Sequence, residues 1–166
     1  MSLNRRGFLA ASALTTPLLA GSATQAAADP AEPVVPGADQ LAAQGWRRLA
    51  GRRIGVLSNP TGVLASLDHI VDSMVAAGVR PSAAFGPEHG FRGSAQAGGS
   101  EGDYVDPHTG IPVYDAYGAS ADKLAGMFTK AGVDLIVFDI ADVGARFYTY
   151  IWTLYTAMAA AAKVGA

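Results

Sequence analysis

One nine-residue stretch combines the side-chain types that acid–base chemistry uses. Residues 85–93, Phe-Gly-Pro-Glu-His-Gly-Phe-Arg-Gly, place Glu88, His89 and Arg92 among three glycines and one proline, directly after an apolar run. Glycine and proline fix an irregular backbone where a strand ends, and polar side chains on such turns usually face a cleft. The stretch therefore indicates a catalytic site rather than a packing element.

Glu88 is the central candidate for catalysis. A carboxyl group beside Phe85 and Phe91 is expected to have its pKa raised by desolvation, the usual way to obtain a general acid near neutral pH. Asp139 and Asp142 are candidates for a second catalytic carboxylate. Two carboxyls that flank a scissile bond are the common arrangement for glycoside hydrolysis.

The other candidates are assigned to substrate binding, because a guanidinium fork suits a carboxylate and imidazole can orient an acid or bond a sugar hydroxyl. They are Asn59, His89, Arg92, Arg146, Tyr148 and Tyr150. Structural interpretations compete with these roles: Asp139 can cap the loop after it and pair with Arg146. The aromatic residues of 148–155 are more typical of a core or an interface than of a sugar platform, although Tyr148 and Tyr150 at the helix start can face the crevice. His69 and His108 are expected to be exposed and without function.

The sequence also limits the possible chemistry. The absence of cysteine excludes disulfides, thiolate metal sites and cysteine nucleophiles. No dinucleotide-binding or Walker A motif is present, and although Glu88, His89, Asp139 and Asp142 contain metal-ligating groups, no local spacing supports a metal site. We therefore predict no cofactor and no metal. A net charge of −2 predicts no nucleic-acid partner.

The first 28 residues predict export. Arg5 and Arg6 precede an uncharged apolar run that ends in small residues at Ala28, and this pattern resembles a signal for the twin-arginine (Tat) export machinery. The run is too short and too interrupted to be a stable membrane anchor. We expect cleavage after Ala28, a linker over 29–37, and a folded domain over 38–166, with the mature protein outside the cytoplasmic membrane.

The spacing of apolar residues predicts alternating helices and strands along the folded part. The predicted helices are 38–50, 67–77, 120–132 and 148–166, and the predicted strands are 54–57, 82–85, an edge strand at 111–114, and a central strand at 133–140. This alternation is typical of a Rossmann-like three-layer α/β fold with a parallel sheet. The loops 58–62, 86–93 and 139–146 then leave the same edge of the sheet, where α/β folds bind ligands.

Four blocks of the sequence, in this order, resemble the exo-β-N-acetylmuramidase family of the NamZ type. They are residues 57–63, 85–98, 109–114 and 137–150, and the resemblance covers essentially everything from Arg53 to Gly165. It implies a glycosidase that releases N-acetylmuramic acid from the non-reducing ends of peptidoglycan fragments, with Glu88 as general acid or base. The lactyl carboxylate of that sugar would give Arg92 or Arg146 a ligand.

The resemblance also implies a longer protein. Family members continue into a further strand and a C-terminal domain, so we expect this chain to be an incomplete N-terminal domain. Two alternatives stay open: a non-catalytic fragment that binds cell-wall sugars, and a metal-dependent hydrolase. Retaining, inverting and substrate-assisted mechanisms are equally compatible with the sequence, because the separation of the carboxyl groups is a structural quantity.

Overall fold

The computed structural model describes residues 34–166, so the predicted export signal and the linker up to residue 33 lie outside the described residues. The helices are α1 (Gly37–Ala43), α2 (Ile70–Ala76), α3 (Ala121–Ala131) and α4 (Tyr150–Val164). The strands are β1 (Ile54–Ser58), β2 (Ala83–Gly86), β3 (Tyr104–Val105), β4 (Pro112–Asp115) and β5 (Leu135–Asp139). None of the helices in residues 34–166 is long and apolar enough to cross a bilayer.

The strands form one sheet in the order β3-β4-β2-β1-β5. β1, β2, β4 and β5 are parallel, whereas the two-residue β3 runs antiparallel to β4. The predicted α/β class with a parallel sheet is confirmed. β3 is an additional strand, and it lies between the predicted strands 82–85 and 111–114.

Helices cover both faces of the sheet because the inner strands are apolar on both sides. β1 is buried along its whole length, with Val56 and Leu57 pointing to opposite faces. The Val56 face packs against α1, against Trp46 in the segment after α1, and against α2, including Ile70 and Met74. The Leu57 face packs against α3 and α4, including Leu124, Phe128 and Ala160. The result is the predicted three-layer arrangement.

The predicted positions of two strands within the sheet are wrong. Residues 133–140 were expected to form a central strand, but β5 pairs only with β1 among the described residues, and all five of its residues are half-buried. Conversely, the strand predicted at the edge, 111–114, is β4 and lies between β3 and β2. Proline is tolerated in this inner strand because Pro112 is its first residue. An apolar run shows that a strand is covered on both faces, not how many strands it pairs with.

The first helix is shorter than the predicted 38–50 because the backbone turns after Ala43. Gly45 and Trp46 both have positive φ angles, +62° and +57°, which end the helix before the short 3-10 turn Arg47–Leu49. The turn directs the Trp46 side chain into the core, where it is 1% exposed and its Nε1–H donates to Ser73 Oγ at 3.1 Å. Burial of this large ring outweighs the helical preference of the segment.

Candidate active site

The loops after β1, β2 and β5 leave the same edge of the sheet, because these strands are parallel. Two hydrogen bonds join the first loop to the third: Ser58 Oγ donates to the Asp139 carbonyl at 2.9 Å, and the Ala141 amide donates to Thr61 Oγ1 at 2.9 Å. The loop after β2 turns so sharply that a Cβ at Gly86 would lie 2.8 Å from the Phe91 nitrogen. This edge therefore has a fixed backbone on which side chains can be positioned.

Glu88 lies in the middle loop with both carboxylate oxygens hydrogen bonded. Oε2 accepts from Thr149 Oγ1 at 2.8 Å, and Oε1 accepts from the Gly98 amide at 2.8 Å. Thr149 immediately precedes α4, so the carboxylate also lies near the positive end of a 15-residue helix. Every one of these contacts favours the ionised form of the side chain.

The expectation that the pKa of Glu88 is raised is wrong. The hydrogen bonds from Thr149 and Gly98 lower the pKa below its usual value, His89 adds to this, and partial burial opposes it less strongly. Phe85 and Phe91 are completely buried in the two cores on opposite faces of the sheet, so they do not form an apolar pocket around the carboxylate. At neutral pH the side chain is a carboxylate anion.

Replacing Thr149 by valine is expected to raise the pKa of Glu88, because valine keeps the shape of threonine but removes the hydroxyl donor. The shift is measured by NMR titration of the Glu88 side-chain carboxyl carbon. Thr129→Val is the matched control, because the Thr129 hydroxyl donates to the Ala125 carbonyl within α3 and not to Glu88. An unchanged or lowered Glu88 pKa in Thr149→Val would contradict this account.

Asn59 and Tyr150 are next to Glu88 at this edge. Asn59 is 3% exposed; its Oδ1 accepts from the amide and the hydroxyl of Thr61, at 3.0 and 2.7 Å, and its side chain lies close enough to the Tyr150 hydroxyl to lower the Tyr150 pKa. Burial raises the pKa of Tyr150, and the negative charge of Glu88 contributes to the same shift. Asn59, Glu88, Thr149 and Tyr150 thus form one polar cluster built from three loops.

An aromatic surface and a free cation lie beside this cluster. The rings of Phe147 and Tyr148 stack with centroids 5.7 Å apart, and Tyr148 lies 5.7 Å from Tyr150 in a tilted arrangement. Phe147 is 85% exposed, and Arg146 is exposed with no ion pair to another residue of 34–166. The segment before α4 therefore presents aromatic rings and one positive charge to solvent.

Arg92 is directed away from this cluster. It contacts Asp72 of α2, on the opposite face of the sheet from α4, and its four hydrogen bonds to Asp72 and Asp106 span 2.7 to 3.1 Å. These bonds occupy four of the five guanidinium N–H groups. Burial opposes the charge of Arg92, but the two carboxylates outweigh it and raise the Arg92 pKa.

The carboxylates around Arg92 replace the substrate carboxylate that was predicted for it. Asp106 is 1% exposed; burial raises its pKa, but Arg92 and Thr109 outweigh this and lower it to about 2. Arg92 also borders an open cavity of about 460 Å³ with Tyr104 and His108. His108 is exposed, as the sequence predicts, at 3.7 Å from Asp72.

Asp139 and Asp142 are not in contact with Glu88 within residues 34–166. Asp139 lines a cavity with Gly37 and Ala38 on the α1 side; burial raises its pKa, and the charge of Asp39 adds to the shift. Asp142 is exposed, and its Oδ1 accepts from the Gly144 amide at 2.7 Å, so it caps its own turn. The carboxylate that would work with Glu88 is therefore not identified by a contact, and both assignments stay predictions.

His89 and His69 both make structural contacts, and His69 is buried although the sequence predicts it to be exposed. His89 is half-buried with φ +69°; its amide donates to the Gly99 carbonyl at 3.1 Å, which helps to shape the loop. His69 is 8% exposed rather than exposed, because it is the residue that caps α2, which begins three residues later than predicted. Its Nδ1 accepts from the Val71 amide, its Nε2 lies 3.2 Å from the Asn59 carbonyl, and its ring packs edge-on against Phe91.

Sequence reasoning missed Glu101, which organises the loop after β2. Its carboxylate accepts from the amides of Phe91, Arg92 and Ser94, and from the Tyr104 hydroxyl, at 2.8 to 3.3 Å. Burial raises the pKa of Glu101, but the hydrogen bonds outweigh it and lower the pKa overall. Its position among glycines and serines in an apparently structureless segment gave no signal for this role.

Two other types of site receive no support in the described part of the chain. Residues 98–102 match the G-x-S-x-G pattern of serine hydrolases, but they follow no strand, and the Ser100 hydroxyl donates to Asp115 at 2.7 Å. Within residues 34–166 no group of three or more His, Asp or Glu side chains is arranged to hold a metal ion.

The fold defines an α/β protein, with a polar cluster and neighbouring aromatic rings as its candidate ligand site at the carboxyl edge of the parallel sheet. The chain belongs to the family described as "Exo-beta-N-acetylmuramidase NamZ, N-terminal", whose model matches residues 54–166. The resemblance seen in the sequence is thereby confirmed. By its description, this is a family of glycosidases.

Individual relatives agree with this assignment. The chain is 42% identical over 161 residues to the peptidoglycan β-N-acetylmuramidase NamZ of Bacillus subtilis (strain 168), an alignment that covers 92% of this chain and 38% of that protein. Two crystal structures of DUF1343 family proteins from Bacteroides fragilis NCTC 9343 match with TM-scores of 0.65 and 0.54 at 38% and 33% identity. Each match covers 76% of this chain and 31% of the other. The chain thus spans about a third of the length of these relatives.

Proposed function

We propose that this protein is a glycosidase that releases N-acetylmuramic acid from the non-reducing ends of peptidoglycan fragments. The observation that carries the proposal is the ionised Glu88 carboxylate, fixed by Thr149 and Gly98 at the ligand-binding edge of the sheet. Glycosidases pass through a transition state with positive charge at the anomeric centre, which a fixed carboxylate stabilises. Membership of the muramidase family supplies the substrate class.

The hydrogen bonds from Thr149 and Gly98, which lower the pKa of Glu88, favour the basic role for it in the carboxylate pair. It acts as general base or nucleophile, and the proton for the leaving group comes from a second acid. Asp139 is the candidate for that acid, because burial and Asp39 raise its pKa at the same edge of the sheet.

The muramyl sugar fits the side of Glu88 that carries Asn59, Tyr148 and Tyr150. The exposed ring of Phe147 and the half-buried ring of Tyr148 suit the apolar face of a sugar, whereas Tyr150 is 7% exposed and belongs with the buried amide of Asn59 to the polar cluster. Arg146 provides the cation for the lactyl carboxylate, since the guanidinium of Arg92 is occupied by Asp72 and Asp106. Export directed by the predicted twin-arginine signal over residues 1–28 would carry the protein across the cytoplasmic membrane to peptidoglycan.

The test is the release of N-acetylmuramic acid from 4-nitrophenyl β-N-acetylmuramide by the purified chain, with 4-nitrophenyl β-N-acetylglucosaminide as the matched control substrate. We expect release from the muramide only. Binding of muramyl fragments without release would contradict the hydrolase and favour the binding fragment. Loss of release in EDTA, restored by a divalent cation, would favour the metal-dependent alternative.

A further inference from the structure

Glu101 joins the two ends of a closed loop through its carboxylate. Oε2 accepts from the amides of Phe91 and Arg92, at 3.0 and 3.3 Å, and Oε1 accepts from the amide and the hydroxyl of Ser94, both at 2.8 Å. The Tyr104 hydroxyl donates to Oε2 at 2.8 Å, which ties the carboxylate to β3. One side chain therefore connects the backbone on either side of the loop.

The chain enclosed by these contacts, residues 95–100, carries one of the two donors to Glu88. The Gly98 amide donates to Glu88 Oε1 at 2.8 Å. The amide and the carbonyl of His89 hold the same segment through two backbone hydrogen bonds of 3.1 Å. Glu101 therefore helps to fix the position of the Gly98 amide, although its own hydrogen bonds go to other residues.

Only an ionised carboxylate fits the contacts that Glu101 makes. Backbone amides donate to both of its oxygens, so neither position can be taken by an NH2 group or by a protonated oxygen. Space around the carboxylate is also restricted, because a Cβ on Gly90, which has a φ angle of +88°, would overlap the Glu101 carboxyl carbon. Both the charge and the shape of this side chain are thus determined by the loop that it closes.

We propose that Glu101 is a positioning residue for catalysis, which holds the Gly98 amide in place and so fixes the orientation of the Glu88 carboxylate. The proposal rests on the proposed function, in which Glu88 performs the chemistry. The two donors to Glu88 are held independently, Gly98 by Glu101 and Thr149 by its place before α4. Such positioning matters because a misplacement of about 1 Å can reduce a rate by about 10²-fold.

Replacing Glu101 by glutamine tests positioning through the direction of one pKa change. Removal of a nearby negative charge would by itself lower the pKa of Glu88, because the second carboxylate no longer repels the ionised form. Loss of the Gly98 hydrogen bond would raise the pKa of Glu88, since that bond favours the ionised form. We expect the Glu88 pKa to rise in Glu101→Gln, as measured by NMR titration of the Glu88 side-chain carboxyl carbon in the whole chain.

A second variant disturbs the same contact without removing a charge. In Gly90→Ala the added methyl group displaces the Glu101 carboxylate, so the pKa of Glu88 should rise here as well. Asp103→Asn is the matched control, because it removes a carboxylate two residues after Glu101 that accepts from the Asp115 amide at 2.8 Å. This control should not raise the Glu88 pKa.

The outcomes of the titration are decisive in both directions. A Glu88 pKa that is lowered or unchanged in either variant overturns the positioning role, and so does an equal rise in Asp103→Asn. If one of the two variants does not fold, the other decides alone.

Kinetics add a readout that a purely structural residue would not change. With 4-nitrophenyl β-N-acetylmuramide as substrate, Glu101→Gln should lower kcat by up to about 10²-fold and leave KM unchanged. A residue that only stabilised the fold would leave kcat per folded molecule at the wild-type value, and that result would also overturn the proposal.

The titration and the kinetics separate this role from the proposed function. If the wild type hydrolyses the muramide but the Glu88 pKa does not rise in the variants, the positioning role is wrong and the function stands. If no muramide is hydrolysed but the Glu88 pKa rises in both variants, the hydrolase is wrong and Glu101 still positions the Glu88 carboxylate.

Discussion

Replacing Glu88 by glutamine is expected to lower kcat/KM for muramide hydrolysis by about 10²- to 10⁴-fold, the usual contribution of a positioned acid–base group. Glutamine has the shape of glutamate but neither its charge nor its proton affinity. The amide oxygen can still accept from Gly98 or Thr149, so the loop keeps its conformation. The measurement is the rate of 4-nitrophenol release at saturating and subsaturating muramide.

The control for Glu88→Gln removes a carboxylate that lies far from the site. Asp122 is an exposed residue in the first turn of α3 that pairs with Lys163, and Asp122→Asn should leave kcat/KM within about twofold. Both variants should unfold at nearly the wild-type temperature. A Glu88→Gln protein with wild-type turnover would show that another group performs the chemistry.

Replacing Arg92 by methionine is expected to lower the free energy of unfolding by about 3–5 kcal/mol, the range for removing one partner of a buried ion pair. Asp106 is 1% exposed and would lose both hydrogen bonds from the guanidinium, and Asp72 would lose two more. The loss of stability exceeds that of an ordinary surface pair because, among residues 34–166, the buried Asp106 carboxylate forms an ion pair with no cation other than Arg92. Urea denaturation at pH 7 measures it.

Arg52→Met is the matched control for Arg92→Met. Arg52 pairs with Asp134 at 3.1 Å, but the two side chains are 49% and 29% exposed. The free energy of unfolding of Arg52→Met should therefore fall by only about 0.2–1 kcal/mol. Similar losses in the two variants would contradict the view that burial makes the Arg92 pair strong.

The same ion pair predicts an acid dependence of stability. The folded-state pKa of Asp106 is about 2 against an ordinary value of 3.8, so its contribution is present above pH 3.8 and is lost as the pH falls towards 2. In Arg92→Met the main cause of the low pKa is absent. The decrease in stability between pH 4 and pH 2 should therefore be smaller in the variant than in the wild type.

Glu88 could be predicted as a candidate site residue because the features that indicate it lie close together in the sequence. A strand, a glycine–proline turn and an acid lie within nine residues, and the parallel sheet that brings this loop to the ligand edge follows from the alternation of strands and helices. The fold class and the family could be predicted from the sequence for the same reason. Each depends on patterns that are complete within short stretches of the chain.

The ionisation state of Glu88 was not accessible because its determinants are distant. Thr149 is 61 residues away, and a threonine before a helix is ordinarily interpreted as a cap for that helix. Arg92 was misassigned for the same reason: its partners Asp72 and Asp106 lie 20 and 14 residues away, in segments with no visible relation to it. Local composition identifies reactive groups, but only tertiary contacts determine their charge and partners.

The 61-residue separation between Glu88 and its hydroxyl donor also has a consequence for the order of assembly. Contacts between distant residues form late in folding, and a growing chain emerges from its N-terminal end. β1, β2 and β4 can pair once residue 115 has been made, whereas Glu88 lacks its second donor until residue 149 is in place. A nascent chain can thus pair β1, β2 and β4 before the Glu88 carboxylate gains its second donor, so this candidate site is completed after the strands that position it.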